Sequence, residues 1–500
     1  MTVETAVGPD ELATWDDVLT GPASTPGWGL LLDRDSHEPM YQQLYTQLRD
    51  LIVVRRQFAP GTRLPASRTL ADELGISRNT VLLAYQRLRE DNCIDGAPGA
   101  GTIVLAPPRG QAAPPSPARC DALSDRARAA IANGPGHLID RSACNRPFAV
   151  GMPPLDVFPS ALWGRLTANR LRKPPVRLLS DCETLGFAPL REAIAAYLGL
   201  MRGVRCRAEQ IVVTRGAENA LDLVVRSLLE PGDPVWLEEP GTIEARAVAT
   251  WHGQRIHPVP IDEEGLVVSA GPDARMAIVS PTRQLPLGTA MSARRRRELL
   301  EWANRNNSWI VELDTEAPFL SPDAPPPLQT QDTNGQVIYA GTFRNLLFPE
   351  VRAGYCVLPE SLVDPISAVL WQSGSGVSAL IQHVLADFIN YQYFPRYLRR
   401  VRDVSASRRE TLLTALRGES ADWLTLREDK SGGSFLACLT DHPVDENTLA
   451  DRAGPASLSL HSIDRYYAGQ RDLSGVVLGY AAVGEPAIAP AVRRLMKVLG

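Results

Sequence analysis

The chain has 500 residues, an apolar fraction of 44% and a formal net charge of −5. That length exceeds one ordinary domain and points to two or three. The net charge excludes a uniformly basic nucleic-acid binder, and no run is long and apolar enough to span a bilayer. Charge is unevenly spread. Asp10, Glu11, Asp16, Asp17, Asp33, Asp35 and Glu38 face Arg34 alone in the first forty residues, whereas arginines crowd the next sixty. Seven scattered cysteines without a CxxC pair read as reduced thiols. The N-terminus shows no basic leader followed by an apolar run, so a soluble cytoplasmic protein without a membrane partner is expected.

Residues 1–38 read as an acidic arm. From Pro39 the spacing of Tyr41, Leu44, Tyr45, Leu48, Leu51 and Ile52 predicts a helix that stops at Phe58-Ala59-Pro60-Gly61. Ser67 is expected to cap a second helix and Ser77 a third, with Val81, Ala84, Tyr85 and Leu88 as its buried stripe. The Gly/Pro-rich stretch from Ile94 to Val104 predicts two short strands around a turn. Residues 39–105 thus read as a winged helix-turn-helix, an α+β unit. Residues 106–145 read as a linker with a short helix near Asp125 to Ile131.

Beyond Phe148, helices and strands alternate. Helices are expected over 189–200, 217–229, 244–251 and 292–304, with strands at 210–214, 234–237, 275–280, 308–312, 337–339 and 353–357. This is an α/β pattern. The remainder is mostly helical, with strands near 434–437 and 476–478. The run Arg294 to Arg297 reads as a solvated helix face, and no histidine or cysteine pair has metal-ligand spacing.

The third helix begins with Ser77, Arg78, Asn79 and Thr80. Such a helix enters the major groove by its N-terminal residues, where arginine forks onto guanine and asparagine onto adenine. Arg63, Ser67 and Arg68 are placed to hold phosphates or reach a base edge. Gly99 and Gly101 in the wing allow close backbone approach. Double-stranded operator DNA is the expected partner.

This segment resembles the winged-helix domain of GntR-type bacterial repressors. The likeness is carried by Pro60-Gly61, Arg63-Leu64-Pro65, Ser67-Arg68, Leu70-Ala71, Leu74-Gly75, Ser77 to Val81, Ala84-Tyr85 and Leu88. The chain beyond it resembles the MocR subfamily, whose large domain looks like a fold-type-I aminotransferase. Pro231-Gly232-Asp233, Glu239-Pro240-Gly241, Gly341-Thr342-Phe343, Phe348-Pro349, Arg352 and Gly354-Tyr355 are among the matching residues. The resemblance implies a domain at 146–500, with a large part at about 186–361 and a small part at about 146–185 plus 362–500. It also implies a homodimer with head-to-tail pairing.

The departures gather where that family holds pyridoxal phosphate. A serine–lysine pair is expected after Gly341-Thr342-Phe343, but the chain has Arg344-Asn345. An amide cannot form the Schiff base that a primary amine forms. The other lysines, Lys173, Lys430 and Lys497, are remote in sequence. Leu313 stands where the family has the acid that faces the pyridine nitrogen, and Thr315 and Thr242 stand for two tyrosines. Ala217-Glu218 replaces a serine–glutamine pair, and Arg283 a histidine. The expectation is a catalytically inactive domain that takes no cofactor. Arg283, Arg344 and Arg352 suggest a cavity for a small anionic effector, or else structural ion pairs with Glu218, Asp314 or Glu316. The functional reading is a transcriptional regulator whose second domain dimerises and senses. Two alternatives are a regulator holding pyridoxal phosphate non-covalently and an active aminotransferase with an appended domain.

Overall fold

The computed structural model describes residues 30, 32, 38–54, 58–96, 101–105, 123–133, 145–180, 183–321, 324–374, 376–391, 393–419, 421–427 and 432–500. They divide into two compact units, Met1–Ala122 and Leu123–Gly500. In the first, α1 (Met40–Arg49) continues as a π-helical turn, Asp50–Val54. Then follow β1 (Arg63–Leu64), α2 (Ser67–Leu74), α3 (Arg78–Glu90), β2 (Ile94–Asp95) and β3 (Thr102–Val104). The strands pair antiparallel in the order β1-β3-β2. Val81, Ala84, Tyr85 and Leu88 recur at helical spacing on α3, and they pack with Leu44, Leu48 and Leu70 in one core.

Local chemistry explains the turn. The Ser77 side chain accepts the Thr80 N–H at 3.1 Å and caps α3. Gly75 closes α2 with φ of 61°, a left-handed conformation that glycine adopts without steric cost. Ser67 does not cap α2 as the sequence suggests. It is the first helical residue, Ala66 precedes it, and no side chain caps that end.

The second unit opens with α4 (Asp125–Asn133), α5 (Ser160–Arg172), α6 (Val176–Leu179) and α7 (Ala188–Arg202). An alternating stretch follows: β4 (Ile211–Thr214), α8 (Ala217–Leu228), β5 (Pro234–Glu239), α9 (Ile243–Trp251), β6 (Arg255–Asp262), β7 (Gly265–Leu266), β8 (Met276–Val279), α10 (Ala293–Asn306), β9 (Trp309–Leu313), β10 (Val337–Thr342) and β11 (Gly354–Val357). These strands form an eight-stranded mixed sheet in the order β4-β11-β10-β9-β8-β5-β6-β7. Its central strands run parallel, while β11 is antiparallel to both neighbours. Strands β4, β8, β10 and β11 are buried along their whole length, as expected of a sheet covered on both faces.

Helices α11 (Val363–Ser373), α12 (Ala379–Asn390) and the long α13 (Tyr393–Gly418) lead into a smaller layer. There β12 (Leu424–Arg427), β13 (Phe435–Thr440), α14 (Glu446–Ala453), β14 (His461–Ser462), β15 (Gly475–Gly479) and α15 (Glu485–Leu499) build an antiparallel sheet of order β12-β13-β15-β14. Phe148 bridges to Gly479 and ties the start of the unit to this sheet.

The arginine run on α10 is not a uniformly solvated face. Arg295 and Arg296 are buried. Arg295 pairs with Asp262 at 2.8 Å, and Arg296 donates to the carbonyls of Met291, Pro281 and Pro326. Their guanidinium donors satisfy loop carbonyls that would otherwise be buried without partners. Among the described residues, no helix is long and apolar enough to cross a membrane.

Candidate functional sites

The first unit presents the N-terminal end of α3. Ser77, Arg78 and Asn79 are exposed there, with Thr80 half-buried. The Ser77 and Thr80 hydroxyls lie 2.8 Å apart, and Arg78 Nε reaches Ser67 Oγ at 3.4 Å, so α2 steadies the arginine. Tyr85, inside the core, donates to the Pro65 carbonyl at 3.0 Å and fixes the approach to α2. Arg63 on β1 and Arg68 on α2 are exposed. Gly101 takes φ of 82° at the start of β3, and Gly99 lies outside the described residues. Leu82 and Leu83 are also exposed on α3, at 44% and 45%. A pattern read for buried stripes passes over such outward leucines.

In the second unit, a cavity of about 200 Å³ opens at the C-terminal ends of the parallel strands, where α/β sheets bind ligands. The ends of β9 and β10 supply Leu313, Thr315, Thr342, Arg344 and Asn345. The starts of α8 and α9 bring Ala217, Glu218 and Thr242. The eight positions that the sequence reading set apart around the expected anchor, Arg283 among them, therefore line one cavity. Arg283, Phe435, His461, Arg465 and Tyr466 complete its walls. The sequence leaves Tyr466-Tyr467 and His461 open, with surface or core roles the commoner reading, and of these His461 and Tyr466 line the cavity. It missed Arg465, because nothing in the local pattern shows that the loop after β14 folds back onto this sheet.

The α8 N-terminus is built closely. Gly216 caps it with φ of 134° and no side-chain capping bond. A Cβ on Gly354 would come within 2.7 Å of the Gly216 Cα, so β11 can pack here only as glycine. The Arg344 N–H donates to the Thr342 hydroxyl at 3.1 Å and holds the loop after β10.

The three arginines do not all converge: Arg352 stays outside the cavity, while Arg344 with Glu218 and Arg283 with Glu316 form the ion pairs that the alternative reading expected. Arg283 is buried in the wall. It donates to the Phe435 carbonyl at 2.7 Å, lies 3.8 Å from the Glu316 carboxylate, and stacks 4.4 Å from the Phe435 ring centroid. Glu316 in turn accepts from the Ser434 N–H and hydroxyl. Arg352 pairs with Glu350 at 3.0 Å on the surface and is not among the cavity-lining residues. Arg344 alone of the three offers an accessible guanidinium to the cavity, paired with Glu218 at 3.1 Å. Asp314 points away and holds Arg202 at 3.0 Å and the Tyr339 hydroxyl at 2.8 Å.

Two buried acids stand behind the cavity. Burial pushes the Glu238 carboxyl up to about 8, against the pull of the Ser280 N–H that donates to it. Burial, reinforced by nearby Asp314, pushes Glu312 up to about 7, although the Leu328 and Gln329 N–H groups donate to it.

Residues 40–104 match the bacterial regulatory proteins of the gntR family, and residues 171–437 match aminotransferase class I and II. The chain is 36% identical to a probable rhizopine catabolism regulatory protein, MocR, of Rhizobium meliloti, covering 91% of this chain and 92% of that one. It is 29% identical to the HTH-type pyridoxine biosynthesis transcriptional regulator PdxR of Corynebacterium glutamicum, over 90% and 94% of the two chains. Among solved structures, it is similar to LysN, an α-aminoadipate aminotransferase from Thermus thermophilus, complexed with N-(5′-phosphopyridoxyl)-L-leucine. That match has a TM-score of 0.68 at 25% identity, over 76% of this chain and 97% of LysN.

These findings overturn the expectation that the domain takes no cofactor, because LysN is complexed with a phosphopyridoxyl-leucine and a similar kynurenine aminotransferase of Pyrococcus horikoshii is in complex with PMP. Groups that would hold the phosphate of such a cofactor are present, with the Glu218 carboxylate among them. The α8 first turn lacks a side-chain cap, and Thr342 and Arg344 stand beside it. Elsewhere on the cavity walls Asn345 offers an amide and Leu313 an alkyl group.

Proposed function

The chain belongs to the MocR family of gntR-type transcriptional regulators, and from that premise we propose that its second unit is a ligand-responsive body and not a working transaminase. The observation that carries this reading is Asn345 on the cavity wall at the anchor position. Its amide nitrogen is delocalised into the carbonyl and is no nucleophile. Lys173 and Lys497 are exposed and neither lines the cavity; Lys430 lies outside the described residues.

Pyridoxal phosphate, when bound, supplies an aldehyde and an electron-withdrawing ring. The α8 amides, the Thr342 hydroxyl and Arg344 would hold its phosphate without a covalent bond. Leu313 would set hydrocarbon against the ring nitrogen where a carboxylate would keep it protonated, so a bound ring would be a poorer electron sink. Thr315 and Thr242 leave more room than the tyrosines they replace. The DNA-facing residues of α3 read the operator, and the second unit supplies a head-to-tail dimer that presents two reading heads.

The test uses the full-length protein and a duplex from its own upstream region. Pyridoxal phosphate is titrated while DNA affinity is followed by fluorescence anisotropy, and a parallel sample is treated with borohydride and weighed by mass spectrometry. The expected result is saturable binding that alters DNA affinity, reversal on dialysis, and no mass increment. A borohydride-fixed adduct, or turnover with amino-acid donors, would overturn the proposal.

A further inference from the structure

We infer that Glu218 is a resident anion, seated at the phosphate end of the cavity and competing with any phosphate ligand for Arg344 and the α8 N-terminus. This rests on the cavity being the ligand site proposed above. The Glu218 carboxylate folds back over the cap of its own helix. Its Oε2 lies 2.8 Å from where a Cβ on Gly216 would sit, and the Thr342 hydroxyl lies 4.0 Å from the same point. Oε1 accepts from Arg344 Nη1 at 3.1 Å. Carboxylate, guanidinium, hydroxyl and helix terminus thus share one small volume.

The physical logic follows from charge. A helix N-terminus favours a negative group, and the carboxylate satisfies it when nothing else does. The neutral glutamine that the family resemblance places here would leave that end electrically open. Both partners of the ion pair are substantially exposed, 44% for Arg344 and 40% for Glu218, so water screens the pair and the carboxylate can swing away. A phosphate dianion cannot settle beside it without repulsion. Binding therefore requires Glu218 to leave and Arg344 to change partners. The substitution raises the ligand concentration at which the cavity fills, and it sets a threshold on the response.

The experiment compares full-length wild type, Glu218→Gln and Glu218→Ser by titration with pyridoxal 5′-phosphate, inorganic phosphate and unphosphorylated pyridoxal. Absorbance reports the two pyridoxal compounds and calorimetry reports phosphate. Removing the charge is expected to tighten both phosphate-bearing ligands by roughly tenfold or more and to leave pyridoxal unchanged. Arg344→Gln should cost more affinity in the Glu218→Gln background than in wild type, because in wild type Arg344 is already engaged. Equal affinities in wild type and both Glu218 variants would overturn this inference and leave the cavity reading intact. So would an equal gain with pyridoxal. Failure of every variant to bind pyridoxal 5′-phosphate would instead overturn the cavity reading, and this inference with it.

Discussion

Replacing Arg78 by alanine separates recognition from folding. In the free protein the side chain is exposed and makes one long hydrogen bond, 3.4 Å to Ser67 Oγ. Such a contact contributes little, so stability should move by less than about 0.5 kcal/mol. The α3 cap is untouched, since Ser77 and not Arg78 accepts the Thr80 N–H. Any loss in DNA affinity then belongs to the interface. A guanidinium forked onto a guanine edge contributes about 1–3 kcal/mol of discrimination, or about 5- to 150-fold in Kd. Anisotropy titrations on the upstream duplex, repeated with each base pair changed and at two salt concentrations, measure this directly. The expected result is a loss confined to one base pair, with specificity relaxed at that position. A uniform loss on all duplexes, with the salt slope reduced by about one, would make Arg78 a phosphate contact and refute the base-reading argument. Unchanged affinity would remove it from the interface.

Other outcomes follow from particular contacts. Asn345→Lys restores an amine to the cavity wall, so borohydride treatment with pyridoxal phosphate should now leave a mass increment, yet amino-donor turnover should stay absent because Leu313 is unrepaired. Arg202→Met strands Asp314, whose side chain is only 2% exposed, and should destabilise the second unit by about 3–5 kcal/mol in denaturant melts. A second change of Asp314 to leucine should recover much of that loss. Burial raises the Glu238 carboxyl from its ordinary value of 4.5 to about 8, so folding favours its protonated form. Its stabilising contribution is present below about 4.5 and is lost as pH rises to about 8, at no more than about 1.4 kcal/mol per pH unit. Glu238→Gln should flatten that slope in melts taken between these limits.

Local chemistry was readable from the chain because its partners lie a few residues apart. Ser77 reaches Thr80, Gly75 turns α2 into α3, and the α3 stripe needs only helical spacing to be recognised. The buried strands announced themselves as short apolar runs between turns. A short helix was expected near Asp125 to Ile131 and forms over Asp125–Asn133, but it belongs to the second unit and not to a linker. Ser67 was misjudged by one position because capping depends on the backbone angle of a single residue, and Ala66 takes the extended conformation.

The sequence by itself determined what the cavity lacks: an amide at Asn345 and an alkyl group at Leu313 are facts of composition that no folding can reverse. Only the tertiary structure decided what the arginines do. A guanidinium sits at the end of a long flexible stem, and its partner comes from a strand or loop far along the chain. Hence Arg283 closes on Glu316 and Phe435, Arg352 turns to the surface, Arg295 and Arg296 are buried, and Arg465 enters the cavity from the smaller sheet's layer. Spacing along one helix or strand fixes which side faces inward, but which distant element packs there is settled by the fold as a whole.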